Sequence, residues 1–438
     1  PFSGIDTVFG AGLGDGGQKH FISGKSFHNF QTFKTNILHY SGGIIMQNFV
    51  QYAPTEIVFG KDTELKTGQE VKKWGGHRTL IVFGGGSAVR SGLIDRVENS
   101  LTEAGIVSER LGGVQPNPRL SFARQGVAKA VEMEADFILA VGGGSAIDTA
   151  KAIAHGAANP EFDLWDIWTQ KVPLTKSFPV GCVLTIAAAG SETSDSAVLT
   201  NEELGRKSGI GTELNRPRFA VMNPELTYTL PKYQLGCGIV DIMMHTLERY
   251  FIPNQKNQMT DEIAEGLLRV VIENGRKAME NPSDYDAMSE IMWCGSLSHN
   301  NLTGLGREKD FSVHKLGHAL SAKYDAAHGA TLSAVWGAWA EYVCESDYAR
   351  FAHFGEKVWG IRAEDEKEAA KLAIGRTVAY FREIGMPVGL KELGIGEISE
   401  KELRELSMNA TMGGTVKLSK IKELGVDDVY QIFQEANN

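Results

Sequence analysis

Short apolar runs alternate with helical patterns in the first half of the chain. Runs rich in β-branched and aromatic residues occupy positions 79–83, 136–141, 178–185 and 218–222. Between them apolar residues recur at helical spacing, as in residues 92–104 and 120–132. Alternation of short buried strands with helices is typical of parallel β/α units. Residues 46–225 are therefore predicted to form an α/β domain.

The second half of the chain has a different pattern, because the strand-like runs end after Asn223-Pro224. Amphipathic helical patterns follow one another to the C-terminus, over residues 233–250, 260–279, 285–299, 314–324, 331–342, 364–384, 400–409 and 426–436. A run of helices after a run of β/α units indicates a second domain of another class. We predict an all-α domain over residues 226–438, with the boundary near residue 225.

The first 45 residues fit neither pattern. They are rich in Gly, Phe and His, and they lack the basic stretch and apolar stretch of a secretory signal. The first methionine is Met46, and a strand-like run is expected just after it. We expect Met46 to be the true start and residues 1–45 to be a non-native or disordered extension.

Length and composition narrow the function. A chain of 438 residues is long for one core, which favours two domains. The net charge of −10 argues against a nucleic-acid or anionic-membrane partner. No apolar run reaches the roughly 18 residues that span a bilayer. The four cysteines form no C-x-x-C pair, which favours free core thiols in a reducing cytosol and a cytoplasmic protein.

Two glycine turns follow predicted strands. Residues 84–86 and 142–144 are both Gly-Gly-Gly, and a helical pattern follows each. Ser145 is placed as the N-cap of the second helix, with Asp148 three residues on as a variant capping box. Glycines let the backbone approach a ligand, and a helix N-terminus suits a pyrophosphate. One such turn is more often tight structure, but two at strand ends favour a dinucleotide.

The first turn also bears on the ribose 2′ position of a dinucleotide. A site for NAD typically places a carboxylate near the ribose hydroxyl. Gly84, Gly85, Gly86 and Ser87 follow the strand here, with Arg90 nearby and no acid. NADP(H) is therefore expected to be favoured over NAD(H).

An aspartate and a set of histidines have the spacing of a metal site. Asp241 and His245 are four residues apart, as are His314 and His318, so each pair shares one helix face. His328 follows, beside Gly329 at an expected helix boundary. A lone histidine is usually a surface or core residue, but this nitrogen and oxygen set suits a divalent transition metal. Since five groups are too many for a simple catalytic site, one of His314, His318 and His328 is expected to handle a proton instead.

From Met46 onward the chain resembles the iron-containing alcohol dehydrogenases, in the branch of butanol dehydrogenases and NADPH-dependent aldehyde reductases. The resemblance covers about nine-tenths of the sequence. It rests on the segments PTEIVFGK, LIVFGGGSAVRSG, GGVQPNPR, ILAVGGGSAIDTAKAIA, GSETSDSAVLT, GIVDIMMHTLE and HKLGHALSAKYDAAHG. It implies an N-terminal dinucleotide-binding α/β domain, an all-α C-terminal domain and an active site in the cleft between them.

The resemblance also implies roles for single residues. The metal ligands would be Asp241, His245, His314 and His328, with Fe²⁺ expected and Zn²⁺ as the alternative. His318 becomes the catalytic histidine that is not a ligand, near substrate and nicotinamide; it either relays the hydroxyl proton or serves as a hydrogen-bonding neighbour. The residues implied at the cofactor are Gly84, Gly85, Ser87, Asn117, Gly142, Gly143, Gly144, Ser145, Asp148, Thr185 and Lys207.

Three positions depart from the family pattern. Ala189 stands where relatives usually have Thr, so one hydroxyl contact to the cofactor is expected to be missing. Ala319 replaces a Glu that often follows the second histidine of the pair, and Phe311 replaces a common Trp. None of the three is an implied metal ligand, so they bear on substrate preference or cofactor affinity.

The expected reaction is reversible hydride transfer between a butanol-like primary alcohol and NAD(P)⁺, carried out by a cytoplasmic homodimer. Three alternatives stay open. A metal-dependent lyase or hydrolase would use the same residues to activate water. A glycerol dehydrogenase-like enzyme would share the fold. A non-catalytic protein would bind metal and nucleotide without turnover.

Overall fold

The computed structural model describes residues 46–253 and 257–438. The extension predicted over residues 1–45 lies outside this part of the chain. The strand-like run expected just after Met46 is wrong, because residues 46–55 form no strand and the first strand begins at Glu56.

A six-stranded parallel sheet forms the N-terminal half. Its strands are β1 (Glu56–Phe59), β2 (Arg78–Gly84), β3 (Val107–Val114), β4 (Phe137–Gly142), β5 (Val180–Leu184) and β8 (Phe219–Met222). The spatial order is β1-β8-β5-β4-β2-β3. The predicted strands correspond to β2, β4, β5 and β8, each buried along most of its length, and are confirmed with small shifts at their ends.

The strands that the apolar pattern does not show are edge or hairpin strands. β3 is largely exposed and contains Gly112-Gly113, so it has no apolar run. A separate antiparallel hairpin joins β6 (Ser196–Asn201) to β7 (Arg206–Gly211). Strands with one face in water or in a cavity keep polar residues, and their pattern resembles that of a loop.

Helices cover the sheet. They are α1 (Thr67–Lys73), α2 (Ser87–Arg90), α3 (Leu93–Glu103), α4 (Leu120–Glu132), α5 (Gly144–Ala158) and α6 (Leu164–Trp168). Nearly every residue of α5 is buried, and most are Ala or Gly. A Cβ on Gly156 would lie 2.4 Å from Val127 Cγ2, so glycine is needed for α5 to approach α4 this closely.

The C-terminal half is helical. It contains α7 (Lys232–Tyr250), α8 (Gln258–Glu280), α9 (Tyr285–His299), α10 (Ser312–Tyr324), α11 (His328–Cys344), α12 (Tyr348–Trp359), α13 (Glu366–Glu383), α14 (Glu400–Ala410) and α15 (Val426–Ala436). Short 3₁₀ segments occupy Thr63–Lys66, Glu213–Asn215, Pro224–Thr227, Leu302–Gly304 and Leu390–Leu393. The predicted fold class is confirmed, although α12 was not predicted; a domain boundary at residue 225 stays a prediction.

The central helix of this half is α7. Its residues from Leu235 to Tyr250 are all buried, and it contacts α8, α9 and α11. Each fully buried apolar side chain, such as Met243 or Leu247, stabilises the fold by about 1.5–3 kcal/mol, so α7 gives its polar side chains a rigid support. The four cysteines are free and buried, as predicted. Among the helices described, none is both long and apolar enough to cross a membrane.

Candidate functional site

Three helices bring four predicted metal ligands together in what we call the histidine cluster: Asp241, His245, His314 and His328. Asp241 and His245 lie one turn apart on α7, His314 lies on α10, and His328 begins α11. One donor atom each from Asp241, His245 and His314 lies within 4.8 Å of the others. His328 Nε2 lies 3.8 Å from Asp241 Oδ1, so the fourth residue also reaches the cluster.

The cluster is centred on one carboxylate oxygen. Asp241 Oδ1 lies 3.7 Å from His245 Nδ1 and 3.5 Å from His314 Nε2. These three atoms are buried and have no hydrogen-bond partner in the described part of the chain, and neither has Nδ1 of His328. An unpartnered buried polar atom costs about 1–3 kcal/mol, so the three that face one another in Asp241, His245 and His314 call for a ligand. The donor set, three imidazoles and a carboxylate, fits a divalent transition metal.

Burial and neighbouring charges set the protonation of the cluster. Burial lowers the pKa of His245 and His328 well below the usual value, so both are neutral. Burial would also raise the pKa of Asp241, but His245, His314 and Lys207 outweigh it, and the carboxylate stays ionised. Burial lowers the pKa of His314, whereas Glu248 and Asp241 raise it, to about 9 overall. Only a deprotonated ring nitrogen can bind a metal, so a metal at His314 would displace a proton.

Glu248 and Arg249 support the cluster and had no role assigned from the sequence. Glu248 accepts hydrogen bonds from the backbone N–H of His314, at 3.1 Å, and from its Nδ1. Arg249 donates to the backbone carbonyl of His245 at 2.6 Å and to Nδ1 of His299 at 2.8 Å. Glu248 and Arg249 follow His245 by three and four residues, so helical spacing could have revealed them.

His318 lies beside the cluster rather than in its closest set of donor atoms. Its ring centroid is 6.1 Å from that of His314 and 5.2 Å from that of His328. Its Nδ1 is buried without a hydrogen-bond partner in residues 46–253 and 257–438. Burial lowers its pKa well below the usual value, so the ring is neutral. A neutral histidine at this position can accept or donate a proton without displacing any of the residues that surround Asp241.

Two cavities meet at the cluster. The larger has a volume of about 420 Å³ and is lined by His245, His314 and His318. The smaller, about 170 Å³, is lined by five residues predicted at the cofactor: Asn117, Gly144, Ser145, Asp148 and Lys207. Asp148, Asp241 and His328 line both cavities, and so does Ala189, the position that departs from the family pattern. A reactant in each cavity would therefore contact the same residues and lie close to the other reactant.

The two glycine turns lie side by side, because β2 and β4 are neighbouring parallel strands. A Cβ on Gly142 or Gly143 would lie 2.7 Å from a side-chain carbon of Ala146 or Ile186, so packing alone requires glycine there. A Cβ on Gly85 would meet nothing within 4 Å, which leaves room for a ligand. Gly84, Gly85, Ser87, Gly142, Gly143 and Thr185 line neither of the two cavities.

The predicted cap of α5 is wrong. Only Gly143 separates β4 from α5, so Gly143 is the N-cap and Ser145 is the second helical residue. Asp148 does not bond back to the helix start. Its carboxylate accepts from the Ser191 hydroxyl at 2.5 Å and from the Val198 N–H at 2.9 Å.

Asn117 and Lys207 meet where the hairpin contacts the site. Lys207 Nζ, on β7, donates to Asn117 Oδ1 at 3.0 Å, and Asn117 Nδ2 donates to Asp325 Oδ1 at 3.0 Å. Burial lowers the pKa of Lys207 to about 8. Thr185 donates its backbone N–H to the Gly142 carbonyl at 3.1 Å and so ties β5 to the second glycine turn.

Known proteins match nearly the whole described chain. A family model of the iron-containing alcohol dehydrogenases matches residues 54–224, and one of the C-terminal part of the Fe-containing alcohol dehydrogenase family matches residues 237–437. NADH-dependent butanol dehydrogenase A of Clostridium acetobutylicum is 39% identical over 393 residues, which are 89% of this chain and 100% of that protein. The NADPH-dependent aldehyde reductase YqhD of Escherichia coli is 33% identical, over 89% of this chain and 100% of that protein.

Solved structures agree with the sequence matches. The crystal structure of NADH-dependent butanol dehydrogenase A from Thermotoga maritima matches with a TM-score of 0.86 at 35% identity, covering 91% of this chain and all of that one. These matches confirm the resemblance on which the expected enzyme class rests. The chain therefore belongs to the iron-containing alcohol dehydrogenase family.

Proposed function

We propose that the protein is a metal-dependent aldehyde reductase and alcohol dehydrogenase that transfers hydride reversibly between NADP(H) and a butanol-like primary alcohol or its aldehyde. One observation carries the proposal. All four residues of the histidine cluster line the larger cavity, two of them, Asp241 and His328, also line the smaller one, and predicted cofactor residues line that smaller cavity. A metal site and a cofactor site in contact support a redox reaction on a small substrate.

For the metal we propose Asp241, His245, His314 and His328 as ligands, with Fe²⁺ expected and Zn²⁺ as the alternative. When bound, the ion supplies Lewis acidity that favours negative charge on the substrate oxygen. Glu248 accepts from Nδ1 of His314 and so keeps Nε2 free for the metal. His245 and His328 are neutral and need lose no proton.

For the proton we propose His318. It lines the substrate cavity and is neutral, which supports a relay of the hydroxyl proton toward solvent. The alternative is a hydrogen-bonding neighbour that orients substrate. With His318→Ala we expect full metal content and reduced turnover. A variant that loses its metal would instead place His318 among the ligands.

For the cofactor we propose NADP(H), whose nicotinamide supplies the hydride. Residues 84–90 contain no acid that would repel a 2′-phosphate. The Arg90 guanidinium folds back over the turn, 3.1 Å from where a Cβ on Gly86 would lie. NADH-dependent and NADPH-dependent relatives are both similar to this chain, so NADH must be compared directly.

The substrate proposal rests on the relatives named butanol dehydrogenase and aldehyde reductase, together with a cavity of about 420 Å³ that suits a small molecule. Butanal reduction, followed by the loss of NADPH or NADH absorbance in metal-analysed protein, tests the proposal. Turnover of glycerol alone would favour the glycerol dehydrogenase alternative. Binding of metal and NADPH without turnover of any aldehyde would favour a binding protein. A homodimer and a cytoplasmic location stay predictions.

A further inference from the structure

His299 is a histidine of the substrate cavity that the proposed reaction does not yet use. It ends α9, lines the larger cavity and is only 9% exposed. Its ring stacks on that of His245, with centroids 3.9 Å apart and planes inclined by 25°. His299 is therefore fixed beside the histidine cluster, although it is not part of it.

Arg249 decides which nitrogen of His299 carries the proton. Its Nη2 lies 2.8 Å from Nδ1 of His299. A guanidinium has only donors, so Nδ1 must accept, and the proton of a neutral ring must be on Nε2. Arg249 is held in turn by its bond to the His245 carbonyl and by Phe311, whose ring centroid is 4.8 Å from the guanidinium carbon. The tautomer is thus set by a rigid neighbour.

The other edge of the ring is available to a ligand. Nothing within residues 46–253 and 257–438 hydrogen-bonds to Nε2 of His299. The residue lines the cavity and is 9% exposed, so an Nε2–H without a protein partner can donate to an acceptor that arrives with the substrate. The acceptors of an alcohol or aldehyde are its oxygen atoms.

We propose that His299 is a substrate-binding residue whose Nε2–H donates a hydrogen bond to an oxygen atom of the alcohol or aldehyde. The inference rests on the proposed function, because it needs an oxygen-bearing substrate in this cavity. The bond involves no change of protonation, which distinguishes His299 from His318. Arg249 is a positioning residue in this scheme, since it acts through His299.

Substitution tests the hydrogen bond. His299→Leu removes the donor and keeps an apolar contact for His245, so we expect the KM for butanal to rise roughly 3- to 10-fold, with metal content by elemental analysis unchanged. His299→Gln can still donate and should restore part of the loss. His353→Leu is the matched control, because His353 is a 40% exposed histidine outside the cavity lining, and it should leave KM unchanged.

Comparison of butanal with 4-hydroxybutanal locates the acceptor. An equal rise in KM for both substrates places the bond at the reacting oxygen, and a larger rise for 4-hydroxybutanal than for butanal shows a further contact with its far oxygen. Either result supports the inference. An unchanged KM for both substrates in His299→Leu, in a preparation whose wild type is active, would overturn it.

Nitrogen-15 NMR of the histidine rings tests the tautomer without turnover. In the wild-type protein prepared without metal, we expect His299 to be neutral with its proton on Nε2, and Arg249→Met to release this preference. A proton on Nδ1 in the wild type would refute the inference. If no aldehyde is reduced while the Nε2 tautomer is observed, the proposed function fails and the tautomer assignment survives.

Discussion

Two buried polar clusters lie at the larger cavity but differ in whether their polar atoms have hydrogen-bond partners. In the histidine cluster, four buried atoms have no partner in the described chain. In what we call the lysine cluster, Asp148, Lys151 and Ser191, the charged atoms are partnered. Lys151 Nζ donates to Ser191 Oγ and to the carbonyls of Ser191 and Ser196, each at 2.8 Å.

The difference separates a binding role from a structural one. A buried polar atom without a partner costs free energy, so a folded chain usually supplies a partner from its own groups. The lysine cluster follows this rule and connects α5 to the loop that carries Ser191 and to Ser196 at the start of β6. The histidine cluster does not, which is the arrangement expected where a ligand completes the site.

Breaking the lysine cluster should have the largest effect on stability. Lys151→Met would leave Asp148 as a buried charge without its cation and would leave several carbonyls without a donor. We expect the free energy of unfolding, from urea denaturation, to fall by about 3–5 kcal/mol. The protein that stays folded should keep its metal. A stability equal to wild type would show that the lysine cluster is dispensable and that the comparison fails.

Breaking the histidine cluster should affect metal content and activity rather than stability. His328→Ala removes a proposed ligand whose Nδ1 has no partner in the described chain, so stability should change little while metal and activity fall together, activity by at least about 100-fold. His155→Ala is the matched control. That buried ring bonds Ser177 and Asn215 at 2.8 Å each, so its loss should cost about 1–3 kcal/mol of stability with metal retained. Full metal content in His328→Ala would contradict the ligand assignment.

Glu248 sharpens the comparison, because it is a partnered group inside the unpartnered site. Glu248→Gln weakens the acceptor that orients His314, so we expect metal affinity, measured by competition with a chelator, to fall about 10- to 100-fold. Glu265→Gln is the control, since Glu265 is equally buried but bonds Tyr250 instead. Equal metal affinities in Glu248→Gln and Glu265→Gln would show that Glu248 does not support metal binding.

Much of this organisation could be predicted from local pattern. Apolar strands β2, β4, β5 and β8 are buried on both faces, and their sequences show it. Helical spacing placed Asp241 with His245, because both lie on one helix. β3 and the β6–β7 hairpin were missed, since β3 and β7 are largely exposed or half-buried and β6 begins and ends with polar residues, which resembles the pattern of loops.

The finer structure of the site depends on contacts between distant segments. Spacing put His314 and His318 on one face and could not tell them apart; only the family resemblance made His314 the ligand. In the structure His314 differs because Glu248 of α7 meets its Nδ1. The role of His299 depends on Arg249, which lies on another helix. The cap predicted at Ser145 was wrong because one residue, Gly143, separates β4 from α5 and takes the N-cap position.

Lys207 is partnered less fully than the lysine cluster and more fully than the histidine cluster. It has one hydrogen bond, to Asn117, and burial lowers its pKa to about 8. A lysine with a lowered pKa is cationic below that value and loses its charge as the pH rises through it. NADPH is an anion, so its Kd should rise above pH 8, roughly fivefold for about 1 kcal/mol of lost attraction.

Lys207→Gln should bind NADPH weakly on both sides of pH 8, whereas Lys171→Gln, at a 66% exposed side chain, should behave as wild type. Fluorescence titration of NADPH measures each Kd. If the wild-type Kd does not change with pH, the Lys207 charge does not face the cofactor, and the smaller cavity is then not where the cofactor phosphates bind.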